Sequence, residues 1–319
     1  VKFIIEMEYK SIRKKECGEM IENEILLESG TNELEFVEFG IGESRFGINV
    51  IKVREIINPA EITPVPNSHP CVEGIIDIRG EVLPVVDIAK ALGYPPSKNP
   101  KNDKYIISEY NQNKIVFHVH YVTQIHRVTW NRIEKPSDIY HGSKSQIIGF
   151  VRINGNMVLL LDFEKLMFEI NPEIGINVDD VKKLGTRKIS MKQILVAEDS
   201  VFLRQLISET MEEAGYKNVL MFENGEELWK FLKNMEQNTP EKLQEISLII
   251  TDIEMPQMDG HALTRKIKED PNLQQLPVII FSSLITPDLR HKGETVGANA
   301  QISKPEIAEL VKRIDEMLS

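Results

Sequence analysis

Residues 248–260 read LIITDIEMPQMDG: an apolar run stops on Asp252, and Glu254, Pro256 and an Asp259-Gly260 turn follow at once. Continuous β-branched and aliphatic residues suit a strand buried on both faces, which belongs to a parallel sheet covered by helices. The flanking sequence supplies that sheet. Upstream lie ILVAED (194–199), the segment SVFLRQLISETMEEAGY with Leu203, Leu206, Ile207, Thr210, Met211 and Ala214 on one helical face, NVLMFEN and the helical EELWKFLKNM. Downstream lie HALTRKIKE, PVIIFSS, a helix over 287–296, AQISKP and EIAELVKRIDEML. Five strands alternate with five helices, which predicts an α/β domain with a five-stranded, doubly wound parallel sheet.

Ligands of open α/β sheets bind beyond the carboxyl ends of the strands. Those ends are Glu198-Asp199, Asp252, Ser282-Ser283 and Lys304-Pro305. Taken singly, an Asp at a strand end caps a helix more often than it does chemistry, and a Lys-Pro is usually a turn. Together they gather three carboxylates, a hydroxyl and an ammonium on one edge. Clustered carboxylates resist ionising together unless a cation joins them, and oxygen-only ligands suit Mg²⁺.

Residues 34–163 follow a different rhythm: LEFVEFGI, RFGINVIKVREII, GIIDIRGEVLPVVDI, KYIISEY, KIVFHVHYVTQI, IIGFVRI and NMVLLLDF, separated by turn signals. Many short strands predict an all-β domain, with helices only at Asp87–Leu92 and Phe163–Phe168. Residues 172–190 lack periodicity and are expected to be a linker. Residues 1–31 read as a partly helical extension, with Met20, Ile21, Ile25 and Leu27 on one face. The expected division is therefore 1–31, 32–171, 172–190 and 191–319.

Composition narrows the function. The net charge of −11 divides into −8 over residues 192–319 and −3 over the rest, with no clustered basic surface for nucleic acid. Cys17 and Cys71 are too few for a disulfide framework, the N-terminus has no secretory pattern, and no apolar run reaches the roughly 20 residues of a membrane span. The all-β half holds no catalytic set. His118 and His120 share a strand face on paper, but no further metal ligands accompany them.

VAEDS, ITDIEMPQMDG, PVIIFSS and ISKP, in that order, resemble the receiver domain of two-component response regulators over residues 192–319. The resemblance implies that Asp252 accepts a phosphoryl group from a kinase histidine. It further implies Mg²⁺ held by Glu198, Asp199, Asp252 and the Glu254 backbone carbonyl, with Ser282 and Lys304 contacting the acyl phosphate. We expect Asp252 to face solvent, as a nucleophile standing on a rigid scaffold should. Gln301 stands where many receivers carry a switching aromatic residue, and Glu306 follows Lys304-Pro305 in place of an apolar residue. A Toprim-like nuclease would share Glu198 and Asp252-x-Glu254 but gives Ser282 and Lys304 no role.

RFGINVIKVREII followed by VPNSHPCVEGIIDIRGEVLPVVDIAKALG resembles the CheW-type coupling domain, a pair of SH3-like β-barrels that links chemoreceptors to the histidine kinase CheA. IDIRG (76–80) stands at that family's receptor-contact motif, N-L-R-G, so Arg79 and Gly80 match it and Asp77 departs. The two resemblances in this order are similar to the CheV architecture. They imply a non-enzymatic, cytoplasmic chemotaxis adaptor at receptor arrays, with CheA and methyl-accepting chemoreceptors as partners and phosphorylation of Asp252 as its control. A phosphate sink that drains CheA, with the first domain as an anchor, is the alternative.

Overall fold

In the computed structural model the described residues are 33–110, 113–134, 146–185 and 187–319. The expected helix within residues 1–31 lies outside them. The first unit is built from β1 (Glu33–Ile41), β2 (Ser44–Asn49), β3 (Val53–Ile57), β4 (Val72–Ile78), β5 (Glu81–Asp87), β6 (Lys104–Tyr110), β7 (Asn113–Val119), β8 (Tyr121–Thr129), β9 (Ile147–Ile153) and β10 (Asn156–Leu161). They form two five-stranded sheets, ordered β8-β1-β2-β10-β9 and β3-β6-β7-β5-β4. Two runs that read as single strands pass from one sheet to the other. The first breaks at Val50–Lys52, where the Asn49 side chain accepts from Ile51 N at 3.1 Å. The second breaks at His120, between β7 and β8.

Alternation along these strands turns Val37, Phe39, Phe46, Ile48, Ile106 and Phe117 into one core between the sheets. Helix α1 (Ile88–Ala91) and helix α2 (Phe163–Ile170) close it. Phe163, Leu166 and Met167 bury the apolar face of α2 in that core, each contributing roughly 1.5–3 kcal/mol. Glu164 is therefore left on the opposite side.

The second unit carries β11 (Gln193–Ala197), β12 (Val219–Phe222), β13 (Ile246–Thr251), β14 (Val278–Ser282) and β15 (Ala300–Ser303) in the parallel order β12-β11-β13-β14-β15. Helices α4 (Val201–Glu213), α5 (Gly225–Asn238), α6 (Gly260–Glu269), α7 (Pro287–Thr295) and α8 (Ile307–Leu318) cover both faces. The register levels the strand ends: Ala197 pairs with Thr251, Thr251 with Ile280 and Ser282 with Ser303. The strand order reverses between β11 and β13, so Asp199 and Asp252 flank the switch point.

Residues 172–190, expected to be a linker, pack against the second unit. They contain α3 (Val178–Lys182), five residues long and too short to show a period, and Ile176 and Val181 are buried in the core of the second unit. Arg187 then donates to Ala214 O at 2.8 Å and to Asp315 at 2.5 Å, which pins the segment to that unit.

The two units also touch through apolar side chains. Ile51 packs on the cluster of Ile253, Ile280, Leu284 and Leu289, and the Phe168 and Phe202 rings lie 4.9 Å apart. Between these contacts lies the polar site.

Candidate functional site

Asp252 leaves the end of β13 with its backbone N–H bonded to Ala197 O at 3.0 Å. Its carboxylate is oriented twice, by Ile253 N at 2.6 Å on Oδ1 and by Lys304 Nζ at 2.9 Å on Oδ2. Gly260 explains the Asp-Gly turn: a Cβ there would lie 1.9 Å from the Asp252 carbonyl oxygen, so only glycine lets α6 start this close. Asp259 caps that helix by accepting from Ala262 N at 2.7 Å.

Lys304 is the hub. It is 2 % exposed, and besides Asp252 its ammonium meets Glu198 Oε2 at 3.0 Å and Glu164 Oε2 at 3.1 Å. Glu198, Asp199 and Asp252 bring carboxylate oxygens within 4.8 Å of one another. Burial, opposed by Lys304 and reinforced by Asp252, raises Glu198 well above the usual carboxylate range. Burial and then Asp252 push Asp199 up to about 8. The cluster is short of positive charge, and its donor set is oxygen alone, so a hard divalent cation fits it. The Glu254 side chain is engaged elsewhere, by Asn49 at 3.0 Å and Lys52 at 3.2 Å.

The sequence-based expectation that Asp252 faces solvent is wrong. It is 3 % exposed, because the first unit covers the strand ends. Glu164, in the first turn of α2, accepts from Ser283 Oγ at 2.5 Å as well as from Lys304. Lys52, in the turn between β2 and β3, reaches Glu164 at 3.4 Å and Glu254 at 3.2 Å. Asn49 donates to Glu254 Oε1 at 3.0 Å. Burial opposes ionisation of Glu164, but Lys304 and Lys52 outweigh it and hold the carboxyl down at about 2. Asp162 caps α2 through one oxygen and accepts from Ser200 Oγ at 2.8 Å through the other, while Ser200 itself caps α4. An open crevice of about 1060 Å³ runs along this junction, lined by Lys52, Glu164, Asp199 and Asp252 among others.

Among the expected residues, Glu198, Asp199, Asp252 and Lys304 converge. Ser282 is fully buried at the end of β14, its hydroxyl accepting from Leu284 N at 3.3 Å, and its neighbour Ser283 makes the contact across the junction. Sequence reasoning missed Glu164, Lys52, Asn49 and Asp162. Gln301 donates to Arg290 O at 2.7 Å. His118 and His120 do not form a site: His118 bridges Glu73 at 2.9 Å and Asp103 at 3.0 Å, whereas His120 accepts from Gly42 N at 2.9 Å.

In the first unit, Arg79 and Gly80 are the two central residues of the β4–β5 hairpin, with φ of 57° and 84°. Positive φ costs a non-glycine residue roughly 1–2 kcal/mol. The Asp77 carboxylate accepts from Gly80 N at 2.8 Å, a bond that an asparagine carbonyl oxygen would also make, so the departure at Asp77 leaves the turn intact. The Arg79 side chain is 73 % exposed and paired with Glu55 at 2.9 Å.

The CheW-like domain family matches residues 35–170, and the response regulator receiver domain family matches residues 194–315. Chemotaxis protein CheV3 of Helicobacter pylori is 29% identical over 300 residues, covering 90% of this chain and 95% of its own length. Both domains are matched in one relative, in the same order. The chain joins a CheW-like domain to a receiver domain, the architecture that aligns with CheV relatives over 90% of its length. A second CheV relative from that organism, CheV2, is 27% identical over 306 residues, or 90% of this chain and 96% of its own. Chemotaxis protein CheW of Thermotoga maritima is 32% identical over 152 residues, 47% of this chain and 98% of its own, which is the CheW-like part of a CheV chain alone. In this CheV-type chain the CheW-like domain sits directly on the receiver's cluster of acids. No described helix is long and apolar enough to cross a membrane.

Proposed function

We propose that this chain is a chemotaxis adaptor that couples methyl-accepting chemoreceptors to the kinase CheA in cytoplasmic arrays, and that phosphorylation of Asp252 by CheA regulates the coupling. The observation that carries the reading is the Asp252 carboxylate, oriented by Ile253 N and Lys304 beside Glu198 and Asp199, in one chain with a CheW-like domain. In the transfer, the donor's imidazole N–P bond breaks as an Asp252 oxygen forms the O–P bond, and the imidazole nitrogen keeps the electron pair and takes a proton from solvent. Such transfer needs positioning and charge neutralisation more than covalent help. The Ile253 N–H fixes the nucleophile, Lys304 neutralises charge on the phosphoryl oxygens, and Ser282 offers a hydroxyl at the adjacent strand end. Mg²⁺, held by Glu198, Asp199, Asp252 and the Glu254 carbonyl, would supply further neutralisation.

Arg79 is the receptor- or kinase-facing contact. Its strained, exposed turn presents a planar guanidinium suited to carboxylates and carbonyls, and Val82 beside it is 61% exposed. The covered acceptor favours regulated coupling over a phosphate sink, which would turn over best with Asp252 open. Asp252→Asn tests the site: labelling by phosphorylated CheA should be abolished, and undiminished labelling would overturn the assignment.

A further inference from the structure

The group that covers Asp252 has the chemistry of the group Asp252 is to receive. Glu164 places one oxygen on the Lys304 ammonium at 3.1 Å and the other on the Ser283 hydroxyl at 2.5 Å, at the strand ends that surround Asp252. It is an anion, it comes from the other domain, and it stands 140 residues from Lys304 in the chain. We propose that Glu164 is an internal surrogate for the phosphoryl group, so that docking of the CheW-like domain and phosphorylation of Asp252 exclude one another. This rests on the reading of Asp252 as phosphoacceptor.

Donor count makes the exclusion. A lysine ammonium has three N–H donors; Lys304 gives one to Asp252 at 2.9 Å and one to Glu164 at 3.1 Å, and Glu198 crowds the third side as an ion pair at 3.0 Å. A phosphoryl group on Asp252 brings up to about two negative charges and three strong acceptors to the same ammonium. Asp252 and Glu198 are fixed at the ends of β13 and β11 and cannot withdraw. Glu164 can, because only the domain junction holds it there.

Withdrawal takes the neighbouring contacts with it. Asp162 and Glu164 both belong to the start of α2, so the Asp162–Ser200 bond and the Phe168–Phe202 contact part together. Lys52 loses Glu254, and Ile51 leaves the Leu284–Leu289 surface. Phosphorylation thereby uncovers a face of the CheW-like domain, Asn49–Val53 and one side of α2, which carries Ile51, Phe168, Lys52 and Glu164. Linkage makes the effect reciprocal: the docked chain resists phosphorylation by the factor by which phosphorylation opposes docking.

The experiment uses the full chain in Mg²⁺ with phosphoramidate as a small phosphodonor, following labelling by mass spectrometry and amide exchange by peptide. In the natural chain, labelling should speed exchange in residues 49–53, 162–168 and 201–203. Glu164→Gln and Ile51→Ala, which weaken the junction by different means, should each raise the labelling rate in proportion to the rise in the undocked fraction, at least several-fold. Labelling of the natural chain with unchanged exchange, and with the same rate in both variants, would overturn the surrogate while leaving Asp252 as the acceptor. Absence of labelling in all three chains would overturn both.

Discussion

Replacing Lys52 with methionine should open the domain junction without touching the acceptor site. The ammonium stands between two carboxylates, Glu164 at 3.4 Å and Glu254 at 3.2 Å, with side chains 15%, 13% and 9% exposed in that order. Removing one member of a buried ion pair costs about 3–5 kcal/mol, because the partner is left buried and unpaired. Here exposure is slight but real, Glu164 keeps Lys304, and Glu254 keeps Asn49, so about 2–3 kcal/mol is expected. At 1.4 kcal/mol per tenfold, the separated form rises roughly 30- to 150-fold relative to the docked one. Methionine preserves the aliphatic stem, which isolates the charge. Amide exchange of the full chain reads the outcome: peptides on both sides of the junction, 161–168 and 282–286, should exchange faster together. Peptides within β6 and β7 should not change. Unaltered exchange at the junction, or loss of protection across the CheW-like sheets instead, would refute the argument.

Two further outcomes follow from the same geometry. Mg²⁺ at about ten times its dissociation constant should stabilise the receiver by about 1.4 kcal/mol, seen as a rise in melting temperature that chelation reverses and Asp199→Asn removes; a rise that persists in that variant would place the ion elsewhere. Burial opposes protonation of His118, but its bonds to Glu73 and Asp103 prevail and raise it above the ordinary histidine range. Its ion pairs thus stabilise the fold fully below about pH 6.5 and fade as pH rises through the folded-state value, so the stability gap between the natural chain and His118→Gln should shrink from pH 6 to pH 8, and a gap independent of pH would contradict the raised value.

The receiver was legible because its chemistry is written at strand ends. Asp252 ends an apolar run, Glu198-Asp199, Ser282-Ser283 and Lys304-Pro305 end three others, and a parallel sheet has to bring those ends level. The division of the CheW-like domain into two sheets was not legible. RFGINVIKVREII shows no interruption in hydropathy where Val50–Lys52 turn, because the turn rests on the Asn49 side chain rather than on glycine or proline. The cover over Asp252 was hidden for a different reason. Glu164 sits in the first turn of a helix, an ordinary place for an acid, and Lys52 in a short turn; nothing local distinguishes them from solvated surface residues. Their roles arise only when α2 buries Phe163, Leu166 and Met167 and so aims Glu164 at the other domain. Asp162 was disguised similarly: it reads as the end of a strand, yet it caps one helix and holds the cap of another.

Phosphorylation of Asp252 is proposed to change how the CheW-like domain engages CheA. The most direct measurement is the affinity of the full chain for the CheA regulatory domain in Mg²⁺, with and without beryllofluoride as the phosphoryl mimic. A shift of about fivefold or more is expected, absent in Asp252→Asn. Equal affinities with beryllofluoride demonstrably bound at Asp252 would contradict it.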